Sequence, residues 1–153
     1  MSQCTNLNSQ VQYAWLFFFS RENKLKVFLG GTCNNSKWRD ELIEHLKVEF
    51  FNPIVDNWTP EAQANEEKAK SIAKYHLYVL TPEMTGCYSI AELIEDSNKI
   101  GQRTLFCILK EYSNRKFEDN QWKSLMAVAD LAIKNGAKQF FNLLDIASYL
   151  NKN

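Results

Sequence analysis

From Leu25 onward, short apolar runs alternate with amphipathic stretches, a pattern that predicts a series of strands and helices. Lys26-Val-Phe-Leu29 reads as a first strand, closed by Gly30-Gly31. Residues 37–47 follow as a helix whose apolar positions Trp38, Leu42, Ile43 and Leu46 fall on one face, with Ser36 as N-cap. Val48-Glu-Phe-Phe51 is a second strand, followed by a loop through Pro53, Asp56 and Trp58. Thr59-Pro60 starts a helix well, because proline is tolerated at the first helical position. That helix, 61–74, is mostly polar, with Ala62, Ala69, Ile72 and Ala73 as a thin apolar face. His76-Leu-Tyr-Val-Leu80 is a buried strand, and after a polar, turn-rich loop a helix begins at Tyr88 or Ser89 with Glu92 in its first turn. Residues 104–109 form a fourth strand, 122–134 a helix stopped by Gly136, 138–141 a short fifth strand and 144–150 a last helix.

Near-continuous apolar strands separated by helices imply a parallel sheet covered on both faces. Right-handed crossovers make a flavodoxin-like three-layer α/β sandwich, with about five parallel strands, the simplest topology. Residues 25–153 are expected to form one α/β domain, and 153 residues suffice for a real core. Residues 1–24 read as an extension. Positions 1–12 are polar, and the aromatic run at 14–19 suits an extra edge strand, a packing arm or a partner contact.

Charge narrows the partner. Lysine plus arginine equals aspartate plus glutamate at 18 each, so no excess favours a nucleic acid polymer or an anionic membrane. A small molecule carrying few charges is the natural ligand. Cys4, Cys33, Cys87 and Cys107 form no C-x-x-C pair, and His45 and His76 sit near none of them at zinc-ligand spacing. No metal and no cofactor is expected, and free thiols point to a reducing, cytoplasmic setting. The 14–19 run is too short to span a bilayer and has no basic segment before it, which argues against a signal peptide. His76 opens its strand at the edge away from the strand-end loops, so no catalytic role is expected of it, and His45 reads as solvated.

In such a sheet the loops after the strands share one edge, where open α/β folds bind ligands. Gly30-Gly-Thr-Cys-Asn-Asn-Ser36 feeds a helix N-terminus and suits an anion, although a purely structural turn fits equally. It is neither a Walker motif nor a dinucleotide fingerprint. In the second loop, Trp58 either stacks on a flat ring beside Asp56 or packs on the core while Asp56 caps a turn. The third loop offers Thr85, Gly86 and Ser89 as hydroxyl and backbone donors. Glu92 at a strand end and helix start is the leading functional carboxylate, against the plain reading of an acid that complements the helix dipole. Glu95 and Asp96 read as solvated or paired with Lys99, whereas Glu66 is a second carboxylate within reach of the same edge. Two carboxylates in one pocket suit glycosidic cleavage, one as nucleophile and one as acid or base.

Three segments, Val27-Phe-Leu-Gly-Gly-Thr-Cys-Asn, Phe51-Asn-Pro-Ile-Val-Asp-Asn-Trp-Thr-Pro-Glu and Thr81-Pro-Glu-Met-Thr-Gly-Cys-Tyr-Ser-Ile-Ala-Glu, together resemble the nucleoside 2-deoxyribosyltransferase-like family over residues 26–109. The match is to its poorly characterised branch. The resemblance implies attack by a glutamate on the anomeric carbon of a 2′-deoxynucleoside or nucleotide, with the sugar passing to another base or to water. Glu92 matches the nucleophile. Glu66 falls where the family usually has an aspartate that handles the proton on the leaving base. Asp56 and Trp58 would surround the base, and Gly30, Gly31, Thr32 and Ser36 would face the sugar or phosphate. The transferases carry an acidic residue six positions before the nucleophile. Here that position is Gly86, a departure. Related nucleotide hydrolases have a serine there for the 5′-phosphate, a role for which Ser89 and Thr85 are the nearby hydroxyls. The family often completes its site from a neighbouring subunit, which implies a homodimer or larger homo-oligomer.

The leading reading is therefore a nucleoside deoxyribosyltransferase or nucleotide N-glycosidase. A second is a Toll/interleukin-receptor-type NAD glycohydrolase, faintly echoed by Trp38-Arg-Asp-Glu-Leu42. A third is a non-catalytic nucleotide sensor, supported by the missing acid at Gly86.

Overall fold

A computed structural model describes residues 25–153 other than Asn34, Asp56 and Trp58. The 1–24 extension, with its aromatic run, therefore lies outside the described residues. Strand β1 (Leu25–Gly31) pairs in parallel with β2 (Glu49–Phe51) on one side and β3 (Tyr75–Leu80) on the other. Strands β4 (Thr104–Ile108) and β7 (Lys138–Phe140) complete a five-stranded parallel sheet in the order β2-β1-β3-β4-β7. This is the expected flavodoxin-like architecture.

Period-two alternation assigns the two faces. Val27, Leu29, Leu77, Val79, Leu105 and Cys107 point to one side, where α1 (Trp38–Ile43) and α5 (Leu143–Lys152) add Trp38, Leu42, Ile146 and Leu150. Tyr78, Leu80, Phe106 and Ile108 point to the other, under α3 (Tyr88–Ile100) and α4 (Asp119–Lys134). Phe28 also faces that way and packs on Ala69 and Ala73 at the α2 (Pro60–Ile72) end of the layer. All residues of β3 and β4 are buried, as expected of strands covered on both faces.

Local chemistry sets the boundaries. Thr59 caps α2, its hydroxyl accepting from the Ala62 N–H at 3.1 Å with Pro60 at the first position. Gly136, at φ +102°, ends α4 as expected. The start of α4 is earlier than the apolar pattern indicated, because Glu118 and Gln121 form a capping box ahead of Trp122. Helix α1 is shorter than residues 37–47: the Asn151 side chain of α5 bonds the His45 carbonyl at 2.9 Å and the Lys47 N–H at 2.8 Å, taking backbone that a longer helix would use. Ser36 is not its N-cap. That position is Lys37, which makes no side-chain cap, and the Ser36 hydroxyl lies 3.5 Å from that of Thr81. A small hairpin, β5 (Glu111–Tyr112) with β6 (Arg115–Lys116), escaped the sequence reading because each strand has only two residues.

Two glycines let β1 sit close to β3. A Cβ on Gly30 would lie 2.5 Å from the Tyr78 ring, and one on Gly31, at φ +117°, would lie 2.1 Å from the Val79 carbonyl oxygen. At Gly86, by contrast, a Cβ would meet nothing within 4 Å. Gly31→Ala is expected to cost at least ~2 kcal/mol in urea unfolding, and Gly86→Ala to stay within ~0.5 kcal/mol of wild type. Equal effects of the two would contradict this packing.

Candidate functional site

The loops after β1 and β3 meet because those strands are neighbours in register, Gly31 opposite Val79. They are tied together by hydroxyls. The buried Thr32 side chain accepts from the Thr81 N–H at 2.9 Å, and the Thr32 N–H donates to the Val79 carbonyl at 2.9 Å. Ser89, at the start of α3, donates to the Gly31 carbonyl at 3.1 Å. Beneath this edge, the buried Arg39 guanidinium of α1 donates to the carbonyls of Leu29 (3.0 Å), Thr32 (2.6 Å) and Gly31 (3.3 Å). Three carbonyls turned towards one cation fix the path of the glycine-rich turn.

Beside this edge lies a cavity of about 480 Å³. Eight of the residues expected at the site line it: Glu92, Glu66, Gly30, Gly31, Thr32, Thr85, Gly86 and Ser89. Ser36 does not, and Asp56 and Trp58 lie outside the described residues. Phe28, Pro53, Ile54, Val55, Leu80, Met84 and Tyr88 give the cavity an apolar wall. Its volume is that of a one-ligand pocket, within the usual range of roughly 300–1,000 Å³.

Glu92 sits a full turn inside α3, since the helix starts at Tyr88, so it is not in the first helical turn as expected. That removes the helix-dipole explanation for its presence, because the dipole effect fades beyond the first turn. Its carboxylate is largely buried and accepts a charge-assisted hydrogen bond from the Lys70 ammonium at 2.9 Å. Lys70 stands four residues after Glu66 on α2, and Asp96 four residues after Glu92 on α3, and the two helices meet through the Lys70 ammonium, which lies over the Phe28 and Tyr78 rings.

Asp96 departs from expectation. It neither pairs with Lys99, which bonds Glu95 at 2.6 Å instead, nor is it solvated. Its Oδ2 accepts from the Tyr78 hydroxyl at 2.5 Å and from His76 Nδ1 at 2.7 Å, and lies 3.5 Å from the Lys70 ammonium. His76 is correspondingly more than the start of a strand. Its Nε2 lies 2.7 Å from the Lys70 carbonyl oxygen, one of the terminal carbonyls that α2 leaves without an intrahelical partner. The sequence shows only that Glu66/Lys70 and Glu92/Asp96 are each i,i+4 pairs, with nothing to link one pair to the other.

The carboxyl groups are held in different states of proton affinity. Burial raises that of Glu66 and the charge of Glu92 adds to the rise, with Lys70 and Arg39 offsetting part of it. For Lys70, burial alone would lower its affinity, but the hydrogen bond and charge of Glu92 and the charge of Asp96 hold it above the ordinary lysine value. Burial would raise Asp96, yet the hydrogen bonds from His76 and Tyr78 and the Lys70 charge keep it below the ordinary 3.8. Burial and Asp96 together keep the Tyr78 phenol protonated far beyond its usual range. Among the described residues no group of histidine, cysteine and acidic side chains is arranged to hold a metal ion. No helix among them is long and apolar enough to cross a membrane.

A depressed aspartate stabilises the fold above its unfolded-state value, and that contribution is lost as pH falls through its folded value. Asp96→Asn is therefore expected to cost about 3 kcal/mol near neutrality, with the gap to wild type narrowing below pH 3.8. Urea unfolding at several pH values checks this. A gap independent of pH would mean that the carboxylate charge is not what the cluster uses.

A family model described as nucleoside 2-deoxyribosyltransferase like matches residues 24–112, more than half of the chain. No curated protein matches the chain, and no solved structure does.

Proposed function

The chain belongs to the nucleoside 2-deoxyribosyltransferase-like family, and we propose that it cleaves the N-glycosidic bond of a small-molecule (deoxy)nucleoside or nucleotide, passing the sugar to another base or to water. The observation that carries this reading is the presence of two glutamates, Glu92 and Glu66, in one single-ligand cavity at the carboxyl ends of β1 and β3. Their surroundings differ in the way that acid and nucleophile require: Glu92 is ion-paired with Lys70, while Glu66 has no ion pair among the described residues and holds its proton more tightly than an ordinary glutamate.

In the proposed reaction a Glu92 carboxylate oxygen attacks the anomeric carbon. The bond from that carbon to the base nitrogen breaks, its electron pair goes to the base, and Glu66 delivers a proton to the base. The glycosyl ester on Glu92 is then attacked by an acceptor nitrogen or by water, which loses its proton to the Glu66 carboxylate, and Glu92 leaves as a carboxylate. The apolar wall of Phe28, Ile54, Val55, Met84 and Tyr88 suits a flat base, and Asp56 and Trp58 are proposed to join it. Gly30, Gly31, Thr32, Thr85, Gly86 and Ser89 are proposed on the sugar or phosphate side. Thr32 and Ser89 would act there mainly by shaping the wall, since their hydroxyls bond Thr81 and Gly31. Ser36 is the weakest of the proposed contacts, being outside the cavity lining.

A homodimer or larger oligomer is part of the proposal. At the cavity mouth Tyr88 is 76% exposed and Ile54 and Val55 about half exposed, an apolar rim that a neighbouring subunit would cover. One observation favours a non-catalytic sensor instead: at Gly86 the cavity has open space where the transferases carry an acid.

Purified protein assayed by HPLC against pooled deoxynucleosides, their 5′-monophosphates and NAD, with and without an acceptor base, tests the reading. Wild type is expected to release or exchange base, Glu92→Gln to lose this entirely, and Glu66→Gln to lose about 100-fold or more. The wild-type rate should fall as pH rises through the elevated Glu66 value, because the acid form is consumed, and Glu66→Gln should lack that decline. Tight binding of a nucleotide with no turnover would select the sensor.

A further inference from the structure

Two glutamates in one cavity do not by themselves say which one attacks. The ion pairs break the symmetry. The Lys70 ammonium contacts Glu92 at 2.9 Å and Asp96 at 3.5 Å, whereas no ion pair joins it to Glu66 among the described residues. Lys70 is itself tightly placed. It stands over the Phe28 ring at 5.4 Å and the Tyr78 ring at 5.7 Å, and it is only 19% exposed. Its own backbone carbonyl is gripped by His76 Nε2 at 2.7 Å, and the other ring nitrogen of His76 reaches the same Asp96 oxygen that Tyr78 bonds. One residue is thus held from both ends by one cluster, by its side chain and by its main chain.

We propose that Lys70 is the positioning residue of this site: it pins the Glu92 carboxylate as an ion pair and thereby divides the labour between the two glutamates. The inference rests on the reading of Glu92 and Glu66 as an acting pair. The groups facing Lys70 are Glu66 on its own helix, Glu92 and Asp96 on α3, and Tyr78 and His76 on β3. The charges of Glu92, Lys70, Arg39 and Glu67 act on Glu66 in turn. Asp96, His76 and Tyr78 act through Lys70: they hold it in place while staying out of the cavity lining. A lysine serves here as a point charge on a flexible stem, and the cluster supplies the rigidity that the stem lacks. The arrangement also explains why the like charges of Glu92 and Asp96, one helical turn apart on α3, are tolerated: the ammonium sits between them.

The test needs no substrate. Carboxyl and amine titrations are followed by NMR in protein carrying labelled glutamate and lysine, with Glu66 and Lys70 assigned through Glu66→Gln and Lys70→Arg. In Lys70→Gln, which keeps a polar side chain and removes the charge, the Glu66 midpoint should move up. In Lys70→Arg it should stay where it is in wild type. In Glu92→Gln the Glu66 midpoint should move down, and so should that of Lys70. A Glu66 midpoint unmoved by Lys70→Gln, or a Lys70 midpoint unmoved by Glu92→Gln, would overturn the proposal. Lys70→Met provides the same reading if Lys70→Gln fails to fold. With a turned-over nucleoside in hand, kcat is expected to fall about 100-fold in Lys70→Gln at nearly constant KM, and to recover in Lys70→Arg. If wild type turns over nothing, the proposed reaction fails, and the titrations still decide the role of Lys70.

Discussion

One carboxylate oxygen, Oδ2 of Asp96, organises the half of this molecule that bears the cavity. It accepts from Tyr78 and His76 of β3 and stands against the Lys70 ammonium of α2, while belonging to α3. Three elements thus converge on one buried acceptor. A buried ion requires such partners, because its desolvation penalty is met only when several donors address it together. Once they do, α2 and α3 cannot slide relative to each other without losing a charge-assisted bond. The positions of Glu66 and Glu92, one turn earlier on each helix, follow from that constraint.

The sheet supplies the complementary constraint at the cavity floor. Gly30 and Gly31 allow β1 to approach β3 where the Tyr78 ring and the Val79 carbonyl leave no room for a Cβ. The glycine-rich turn has a composition that suits an anion, yet its glycines are explained by packing, and its carbonyls turn inward to the Arg39 guanidinium. Tyr78 connects the two constraints, since its ring occupies the space that Gly30 vacates while its hydroxyl reaches Asp96.

The fold was legible because its signals are local and redundant. The apolar runs at β3 and β4 are buried throughout, and Thr59-Pro60 and Gly136 bracket helices through backbone chemistry that sequence displays directly. The positions of Glu92 and Glu66 on one cavity were also within reach, because strand-end geometry and motif spacing both point to the same edge. What sequence hid was pairing between elements. Asp96 has Lys99 in its neighbourhood along the chain, yet its partners come from twenty-six, twenty and eighteen residues away, at Lys70, His76 and Tyr78. The shortening of α1 is of the same kind, set by Asn151 at the far end of the chain. Long-range partners of polar residues leave no periodic trace.

In the proposed reaction Glu92 forms a bond to the sugar. The most direct measurement is intact-mass spectrometry of protein quenched in acid during incubation with a 2′-deoxynucleoside or its 5′-monophosphate, followed by peptide mapping. A mass increase of one deoxyribosyl or phosphodeoxyribosyl group is expected on the peptide carrying Glu92, absent in Glu92→Gln. Base release by wild type with no such adduct, or with an adduct on another side chain, would contradict it.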